Sequence, residues 1–357
     1  MKPLFPSLRS NPPTVIAFDW GGTVMHELPY TGRMVDWPEV QAVEGAAEAL
    51  AALAREHRLV IATNAVDSDA AAVRGALERV GLAQYFEGIF TRQQTLARKP
   101  DAAFYRFICA QMGIREGELA FVGDDLINDA VGPALAGCQG IWFNPERLPA
   151  PGLTPLHSQE VALLADLPRA VKTLVEVPPL ALCQAWYVQQ GASAMLLAHT
   201  AAVAAAAYGL AALLRRGGAE LDPVLAQRGG LLHDIGRPGE TRGQPHHLLG
   251  ADLLVEQSLN RLAGCARGHM LFGPLEGQPP RTLEEKVVYF ADKLVEGSQL
   301  VPAAERLAAL GGRYAIPAEK MSAVSAWVGE LEAELTELAR LAPGGLFAAL
   351  RDLFRGR

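Results

Sequence analysis

The sequence is short of cysteine, of positive charge and of aromatic side chains. Its four cysteines, Cys109, Cys138, Cys183 and Cys265, lie far apart with no C-x-x-C pair. This spacing excludes a disulfide framework and a thiolate zinc ribbon, and predicts small buried thiols in a reducing compartment. Basic residues number 32 against 39 acidic, a net charge of −7 over 357 residues. The first 180 residues hold 15 basic and 21 acidic side chains, and the rest hold 17 and 18. Neither half has the basic excess that captures duplex nucleic acid, so nucleic acid is not an expected partner. The N-terminal MKPLFPSLRSNPP has no apolar h-region, so no secretory signal is expected and the protein is placed in the cytoplasm. One long apolar run exists, over 192–214, interrupted only by Ser193, His199, Thr200 and Tyr208. Its length suits a membrane span. It is mostly alanine and carries a histidine, so it reads as the core helix of a soluble domain, with no membrane partner.

What is present points to folded, enzymatic domains. Half the residues are hydrophobic and 20% charged, which excludes a disordered chain. The length suits two domains plus an extension. Apolar β-branched runs at 14–18 (TVIAF), 59–62 (LVIA), 88–90, 119–122 (LAFV) and 139–143 (QGIWF) alternate with helical periodicity at 45–57, 68–80, 100–112 and 129–136. Strands and helices in this order predict a doubly wound α/β fold with a parallel sheet. Ligands of such sheets bind at the carboxyl ends of strands, where Asp19, Thr63 and Asp124 fall. A helix is expected over 159–174 and a linker at VEVPP. From about residue 180 the periodicity is helical throughout, predicting an all-α domain, with amphipathic helices over 303–354 broken at Pro343-Gly344-Gly345. The expected boundaries are 1–176, 177–300 and a C-terminal helical extension over 301–357. Of eight histidines, five (His199, His233, His246, His247, His269) fall within 71 residues, which directs attention to metal chemistry in the second half.

In the first half Asp19-Trp20-Gly21-Gly22-Thr23, Thr63-Asn64, Lys99-Pro100 and the run from Gly123-Asp124 to Asp129 supply carboxylates, a hydroxyl and an ammonium at strand ends. Carboxylates gathered there need a cation, and hard oxygen ligands suit Mg²⁺, which also binds phosphate oxygens. The four motifs in this order resemble the haloacid dehalogenase-like (HAD) phosphohydrolases over 14–145. The resemblance implies Asp19 as a nucleophile forming an aspartyl-phosphate, with Asp19, the Gly21 carbonyl and Asp124 around Mg²⁺. It also implies Thr63 and Lys99 on the phosphoryl group, Asp129 orienting Lys99 or the metal shell, and Asn64 near the substrate. One position departs from the pattern. The phosphatases carry an aspartate two residues after the nucleophile as general acid and base, and here that residue is Gly21. The departure leaves three readings open: a capless phosphatase of restricted activity, a silent phosphate-binding regulatory domain, or other displacement chemistry. About 35 residues between Thr23 and the second strand leave no room for an autonomous cap.

In the second half His199, His233-Asp234, His246, His269 and Asp292 combine imidazoles with carboxylates, a donor set suited to Fe, Mn, Zn or Ni rather than to Mg²⁺. The string LLHDIG, with His246 before Gly250-Ala251, ARGHM and EKVVYFADKL, resembles the HD superfamily of metal-dependent phosphohydrolases over 192–297. Within it, the wording looks like the bacterial enzymes that cleave diadenosine tetraphosphate symmetrically. The resemblance implies one metal on His199, His233, Asp234 and Asp292, and a second on Asp234, His246 and His269, Fe or Mn being favoured. His247 competes with His246, whose spacing to Gly250 fits better. Arg237 and Lys293 are candidate phosphate contacts. The combined expectation is a bifunctional metal-dependent phosphohydrolase acting on a small phosphorylated, nucleotide-like molecule, with a homodimer through the C-terminal helices possible. Two alternatives stay open: a regulatory protein with a silent HAD domain, and an HD phosphodiesterase acting on cyclic phosphodiesters or nucleic acid ends.

Overall fold

The computed structural model describes Leu8, residues 10–241 and residues 243–356. The chain divides into two compact units, one of Ser10–Glu146 with Leu156–Val175 and one of Arg147–Pro155 with Glu176 onward and Leu8.

The first unit is a parallel sheet between two layers of helix. Its strands are β1 (Val15–Phe18), β2 (Arg58–Thr63), β3 (Phe86–Thr91), β4 (Leu119–Gly123), β5 (Gln139–Phe143) and β6 (Gln159–Val161). They lie in the order β3-β2-β1-β4-β5-β6, every neighbouring pair parallel. Helices α1 (Ala46–Leu53), α2 (Ala70–Arg79), α3 (Arg92–Thr95), α4 (Ala102–Met112), α5 (Gly132–Leu135) and α6 (Leu167–Thr173) connect and cover them. Strands buried on both faces read as unbroken apolar runs, as VIAF and LAFV do. Ile16 and Phe18 pack to one side with Leu50 and Val73, while Val15 and Ala17 pack to the other with Phe104 and Ile108. The strand order reverses at β1, so the crevice beyond β1, β2 and β4 is the sheet's switch point.

Two local expectations are corrected. The helix expected over 159–174 begins as strand β6, because residues 159–161 pair with Ile141, Trp142 and Phe143 on the open edge of β5. Edge pairing there overrides local helical periodicity. The helix expected from 129 starts earlier, as a wide turn over Leu126–Val131 capped by Asp125, whose Oδ1 accepts from the Ile127 and Asn128 amides at 2.9 Å.

The second unit is helical: α7 (Leu180–Gln189), α8 (Ala194–Arg216), α9 (Pro223–Leu232), α10 (His246–Glu256), α11 (Asn260–Gly268), α12 (Leu283–Asp292), α13 (Ala303–Arg313), α14 (Ala318–Leu338) and α15 (Leu346–Arg355). A two-residue hairpin, β7 (Val295–Glu296) and β8 (Gln299–Leu300), is the one exception to helix among its named elements. Ser193, Asp222 and Thr282 cap α8, α9 and α12 through side-chain oxygens on backbone amides, as N-cap residues do. The apolar run lies in α8, which is long and apolar enough to cross a membrane. It is nevertheless a packed core helix, with Val203 to Leu214 buried continuously.

The boundaries differ from those expected in two respects. Arg147–Pro155 belongs with the helices, fastened where the Ala150 amide donates to the Tyr208 hydroxyl at 2.9 Å. The C-terminal helices have no core of their own, since Val324, Leu331, Leu335 and Leu350 share one with Ala207, Leu210 and Phe290.

Fully buried Arg228 staples this unit. Its Nε donates to the Pro178 carbonyl at 2.8 Å, and its two terminal nitrogens donate to the Pro155 carbonyl at 3.2 and 3.3 Å. Burial holds its pKa below the ordinary arginine value. Arg228→Ala leaves two carbonyls without these donors and is expected to cost about 3 kcal/mol. Arg228→Lys should recover only part, because an ammonium lacks the planar fork. The urea midpoint of the helical unit measures this, and an unchanged midpoint would refute the staple.

Candidate functional site

Two constellations of polar side chains lie inside these folds. The first sits beyond the carboxyl ends of β1, β2 and β4. Lys99, almost completely buried, is held between Asp19 Oδ1 at 2.5 Å and Asp129 Oδ1 at 2.6 Å. Thr23 Oγ1 donates to Asp124 Oδ1 at 3.0 Å and accepts from the Asp124 amide at 3.0 Å, tying the loop after β1 to the loop after β4. Gly22 has a φ of +75°, and a Cβ there would lie 2.5 Å from an Asp124 oxygen, so only glycine serves. Asp129 reaches back to Lys99 because the wide turn brings it over β4, where its Oδ2 also accepts from the Asp125 amide at 3.1 Å.

Oxygens of Asp19, Asp124 and Asp129 lie within 4.8 Å of one another, three carboxylates against one ammonium. Burial and the neighbouring Asp19 raise the Asp124 pKa. Burial pushes Asp129 up to about 8, with Lys99 opposing and Asp19 adding to the rise. Carboxylates raised by burial and by the nearby charge of Asp19 are what a divalent cation would relieve, and the all-oxygen donor set suits a hard one. Thr63 sits at the end of β2, almost buried, in the wall of a cavity of about 650 Å³ that also includes Asp19, Lys99 and Asp124.

Asn64 lines the same cavity. Its amide nitrogen donates to the Lys99 carbonyl at 3.1 Å and its Oδ1 accepts from the Lys99 amide at 2.9 Å. Asn64 thus braces the Lys99 backbone while also lining the cavity.

The second constellation is built where α9 ends. The helix stops at Leu232, so His233 caps it and Asp234 follows in a turn. That break lets two adjacent residues face one centre. His199 comes from α8, His246 from the first turn of α10, His269 from the end of α11 and Asp292 from the last turn of α12. His233, Asp234, His246 and His269 are each 5% exposed or less.

Their tautomers follow from the partners. His199 Nδ1 lies 2.9 Å from the Gly297 carbonyl, His233 Nδ1 2.7 Å from that of Gly230, and His269 Nδ1 2.7 Å from that of Ala266. His246 Nδ1 lies 2.8 Å from Glu240 Oε1. A carbonyl or carboxylate oxygen accepts, so each Nδ1 donates and each Nε2 is turned inward, where a ring in its neutral form presents a lone pair. Those Nε2 atoms converge. His246 Nε2 and His269 Nε2 are 3.2 Å apart and each lies 3.3 Å from Asp234 Oδ1. His199 Nε2 lies 3.3 Å and His233 Nε2 3.8 Å from Asp292 Oδ1, while His233 Nε2 is 3.6 Å from Asp234 Oδ2.

His233 Nε2 and Asp234 Oδ1 are buried with no hydrogen-bond partner, which costs about 1–3 kcal/mol each unless something else binds them. Burial depresses the His233 pKa to about 4, keeping the ring neutral. Burial opposes ionisation of Asp234, yet the Arg237 guanidinium on its Oδ2 helps hold its carboxyl well below the ordinary range. Neutral imidazoles with second-atom partners, facing an ionised carboxylate, form a donor set for divalent transition metals. Two groups meet this condition, His199 with His233 and Asp234, and Asp234 with His246 and His269.

The remaining candidates separate. His247 stays outside both groups, its ring 5.9 Å from that of His246. Arg237 donates through Nε to Asp234 Oδ2 at 2.8 Å, lies 3.9 Å from Glu240 Oε2 through a terminal nitrogen, and is partly exposed beside the centre. Lys293 is corrected: it is turned inward and buried, donating to the His269 carbonyl at 2.8 Å and Asp292 Oδ2 at 2.6 Å. It braces two members of the centre and is not free to meet a phosphate. The motif pattern gave no notice of Glu240, which fixes the His246 tautomer. A carboxylate six residues before a candidate ligand was the available signal.

Comparison with known proteins divides along the same lines. The haloacid dehalogenase-like hydrolase model matches residues 22–137, and the HD domain model matches residues 196–296. An uncharacterized protein, MJ0778 of Methanocaldococcus jannaschii, is 40% identical over 115 residues, covering 29% of this chain and 68% of that protein. The pyrimidine 5'-nucleotidase PynA of Streptococcus pneumoniae is 36% identical over 110 residues, covering 30% of this chain and 45% of the nucleotidase. The human N-acylneuraminate-9-phosphatase is 25% identical over 126 residues, 35% of this chain and 50% of the phosphatase. The chain thus spans half or less of these two relatives. Among solved structures, an uncharacterized protein from Listeria monocytogenes serotype 4b matches with 28% identity and a TM-score of 0.40, covering 45% of this chain and 98% of that one. The chain joins a haloacid dehalogenase-like hydrolase domain and an HD domain, two metal-dependent families, in one polypeptide.

Proposed function

We propose that the chain is a bifunctional metal-dependent phosphohydrolase, with hydrolysis of a nucleotide-like phosphoanhydride or phosphoester at the HD site and a phosphatase at the HAD site through Asp19. The two family matches and the phosphatase-named relatives agree on a phosphohydrolase acting on small phosphorylated molecules. Diadenosine tetraphosphate is the leading substrate for the HD site, from the likeness of the sequence around His233, His246, His269 and Asp292.

The single observation that carries the HD assignment is the set of four histidines that spend Nδ1 on an oxygen and converge their Nε2 atoms on Asp234 and Asp292. His199, His233, Asp234 and Asp292 would hold one cation, and Asp234, His246 and His269 the other, with Fe or Mn favoured. Bound there, divalent cations supply Lewis acidity toward a phosphoryl group and lower the pKa of a coordinated water. The chain's own residues supply the rest: Arg237 offers an exposed guanidinium to substrate oxygens, and Lys293 and Glu240 hold Asp292 and His246 in place.

At the first site Asp19, the Gly21 carbonyl and Asp124 would hold Mg²⁺, a cation that shields the charge of an incoming phosphate. Asp19 then attacks phosphorus, Thr63 and Lys99 bind the transferring group, and Asp129 keeps Lys99 in place.

Elemental analysis of the purified chain, followed by a screen of nucleotides, dinucleoside polyphosphates and phosphomonoesters, tests both sites. Two transition-metal ions per chain are expected. Chelation should remove them with the dinucleoside polyphosphate activity, and Mn²⁺ should restore it. A metal-free chain that still hydrolyses these substrates would end the proposal.

A further inference from the structure

The Gly21 position is not empty of acid. After Asp19 the chain turns sharply: the Val24 and Met25 amides donate to the Trp20 carbonyl at 3.0 and 2.9 Å, and the Gly22 amide donates to the Met25 carbonyl at 2.8 Å. The His26 amide then donates to the Gln41 carbonyl at 2.9 Å, which brings the next residue, Glu27, back over Gly21. A Cβ on Gly21 would lie 2.6 Å from Glu27 Oε1 and 3.3 Å from its carboxyl carbon. An aspartate's own carboxylate oxygens stand about that far from its Cβ. Glu27 therefore holds a carboxylate oxygen about as far from that Cβ position as an aspartate at position 21 would hold its own. It also lines the cavity shared with Asp19, Lys99 and Asp124. It is not part of the carboxylate group gathered as a metal site, which consists of Asp19, Asp124 and Asp129.

We propose that Glu27 is the general acid and base of the HAD site, supplied from the turn after β1 in place of the aspartate that Gly21 lacks. The substrate class then includes unactivated alkyl phosphate monoesters. The proposal rests on the reading of Asp19 as nucleophile. In the first step an Asp19 oxygen bonds to phosphorus, the bond from phosphorus to the ester oxygen breaks, and the Glu27 carboxylic acid passes its proton to the departing alkoxide, releasing an alcohol. In the second step the Glu27 carboxylate takes a proton from water as the water oxygen bonds to phosphorus. The bond from phosphorus to Asp19 breaks, inorganic phosphate leaves, and both carboxyls return to their starting state. The cavity wall beyond Glu27 carries Leu28, Tyr30 and Trp37, an apolar face for the alcohol portion.

The full chain with Mg²⁺ is assayed on glycerol phosphate, a poor leaving group, and on p-nitrophenyl phosphate, a good one. Asp19→Asn defines the rate that does not belong to this site. Glu27→Gln is expected to lower turnover of glycerol phosphate by about 10²–10⁴-fold, the usual contribution of a general acid-base group. On p-nitrophenyl phosphate it should release one equivalent of nitrophenol per chain in a burst and then stall, since attack survives and hydrolysis of the aspartyl-phosphate lacks its base. The burst also certifies that the variant is folded. The double variant Gly21→Asp with Glu27→Ala should regain turnover, the truncated side chain having made room for the new carboxylate. Wild-type turnover of glycerol phosphate by Glu27→Gln, with Asp19→Asn inactive, would overturn the role of Glu27 alone. Absence of the burst in a Glu27→Gln chain that melts like wild type would overturn it too. Equal rates in wild type and Asp19→Asn would overturn the nucleophile, and the proposal with it.

Discussion

The Asp234→Ala chain is expected to lose its bound transition metal and roughly 10³-fold or more of the HD-site hydrolysis, equivalent to about 4 kcal/mol at 1.36 kcal/mol per decade. Among the described residues, Asp234 is the member common to both candidate groups. Asp234 Oδ1 lies 3.3 Å from His246 Nε2 and from His269 Nε2, while Oδ2 lies 3.6 Å from His233 Nε2 and 2.8 Å from Arg237 Nε. Its removal leaves Nε2 lone pairs facing one another with no anion between them, and frees the guanidinium that Asp234 had fixed. A ligand that binds only the folded chain at 100 times its Kd adds about 2.7 kcal/mol of stability. The rise in melting temperature that Mn²⁺ gives the wild type should therefore vanish in this variant. Metal content by elemental analysis, hydrolysis of diadenosine tetraphosphate and the melting shift provide three separate readouts. An Asp234→Ala chain that keeps two metals would sink the assignment of this centre.

Much of both sites was legible in the sequence, for a physical reason that differs between them. Asp19, Thr63 and Asp124 were readable because a short apolar run marks a buried parallel strand, and whatever follows it stands in the crevice. His199, His233, Asp234, His246, His269 and Asp292 were readable through chemistry, since few folds bury so many imidazoles without a use for them.

What escaped was set by direction rather than by position. Lys293 follows Asp292, and its neighbourhood suggested a phosphate contact, but the end of α12 turns its ammonium onto the His269 carbonyl and the Tyr289 ring. Asn64 follows Thr63 and lines the cavity, but its brace on the Lys99 backbone was not readable. Glu27 and Glu240 act through a folded-back turn and a loop, whose geometry leaves no periodic trace. Strand β6 escaped because its partner is the edge of β5, a tertiary contact that residues 159–161 do not announce.

Asp19→Asn should remove phosphomonoesterase activity by at least about 10³-fold, as loss of a protein nucleophile does, while leaving the HD-site reaction unchanged. The reasoning extends to stability. In the wild type, three carboxylates face one ammonium, and Asp124 and Asp129 are both pushed up in pKa, by burial first and by the charge of Asp19 after it. An amide at position 19 removes one negative charge from that group and leaves Lys99 its 2.6 Å partner, Asp129. The apo protein should therefore melt close to wild type, the relieved repulsion among the three carboxylates offsetting the lost ion pair. Mg²⁺ should stabilise the variant less than the wild type, because one of the oxygens proposed to hold it is now an uncharged amide. This opposition of a large loss of activity without a loss of melting temperature separates a functional carboxylate from a structural one. A structural aspartate, removed from Lys99 at 2.5 Å, would lower the melting temperature and leave catalysis in proportion to the folded fraction. Melting curves with and without Mg²⁺, beside turnover of p-nitrophenyl phosphate, decide between the two. A destabilised variant that retains its specific activity would remove Asp19 from the chemistry.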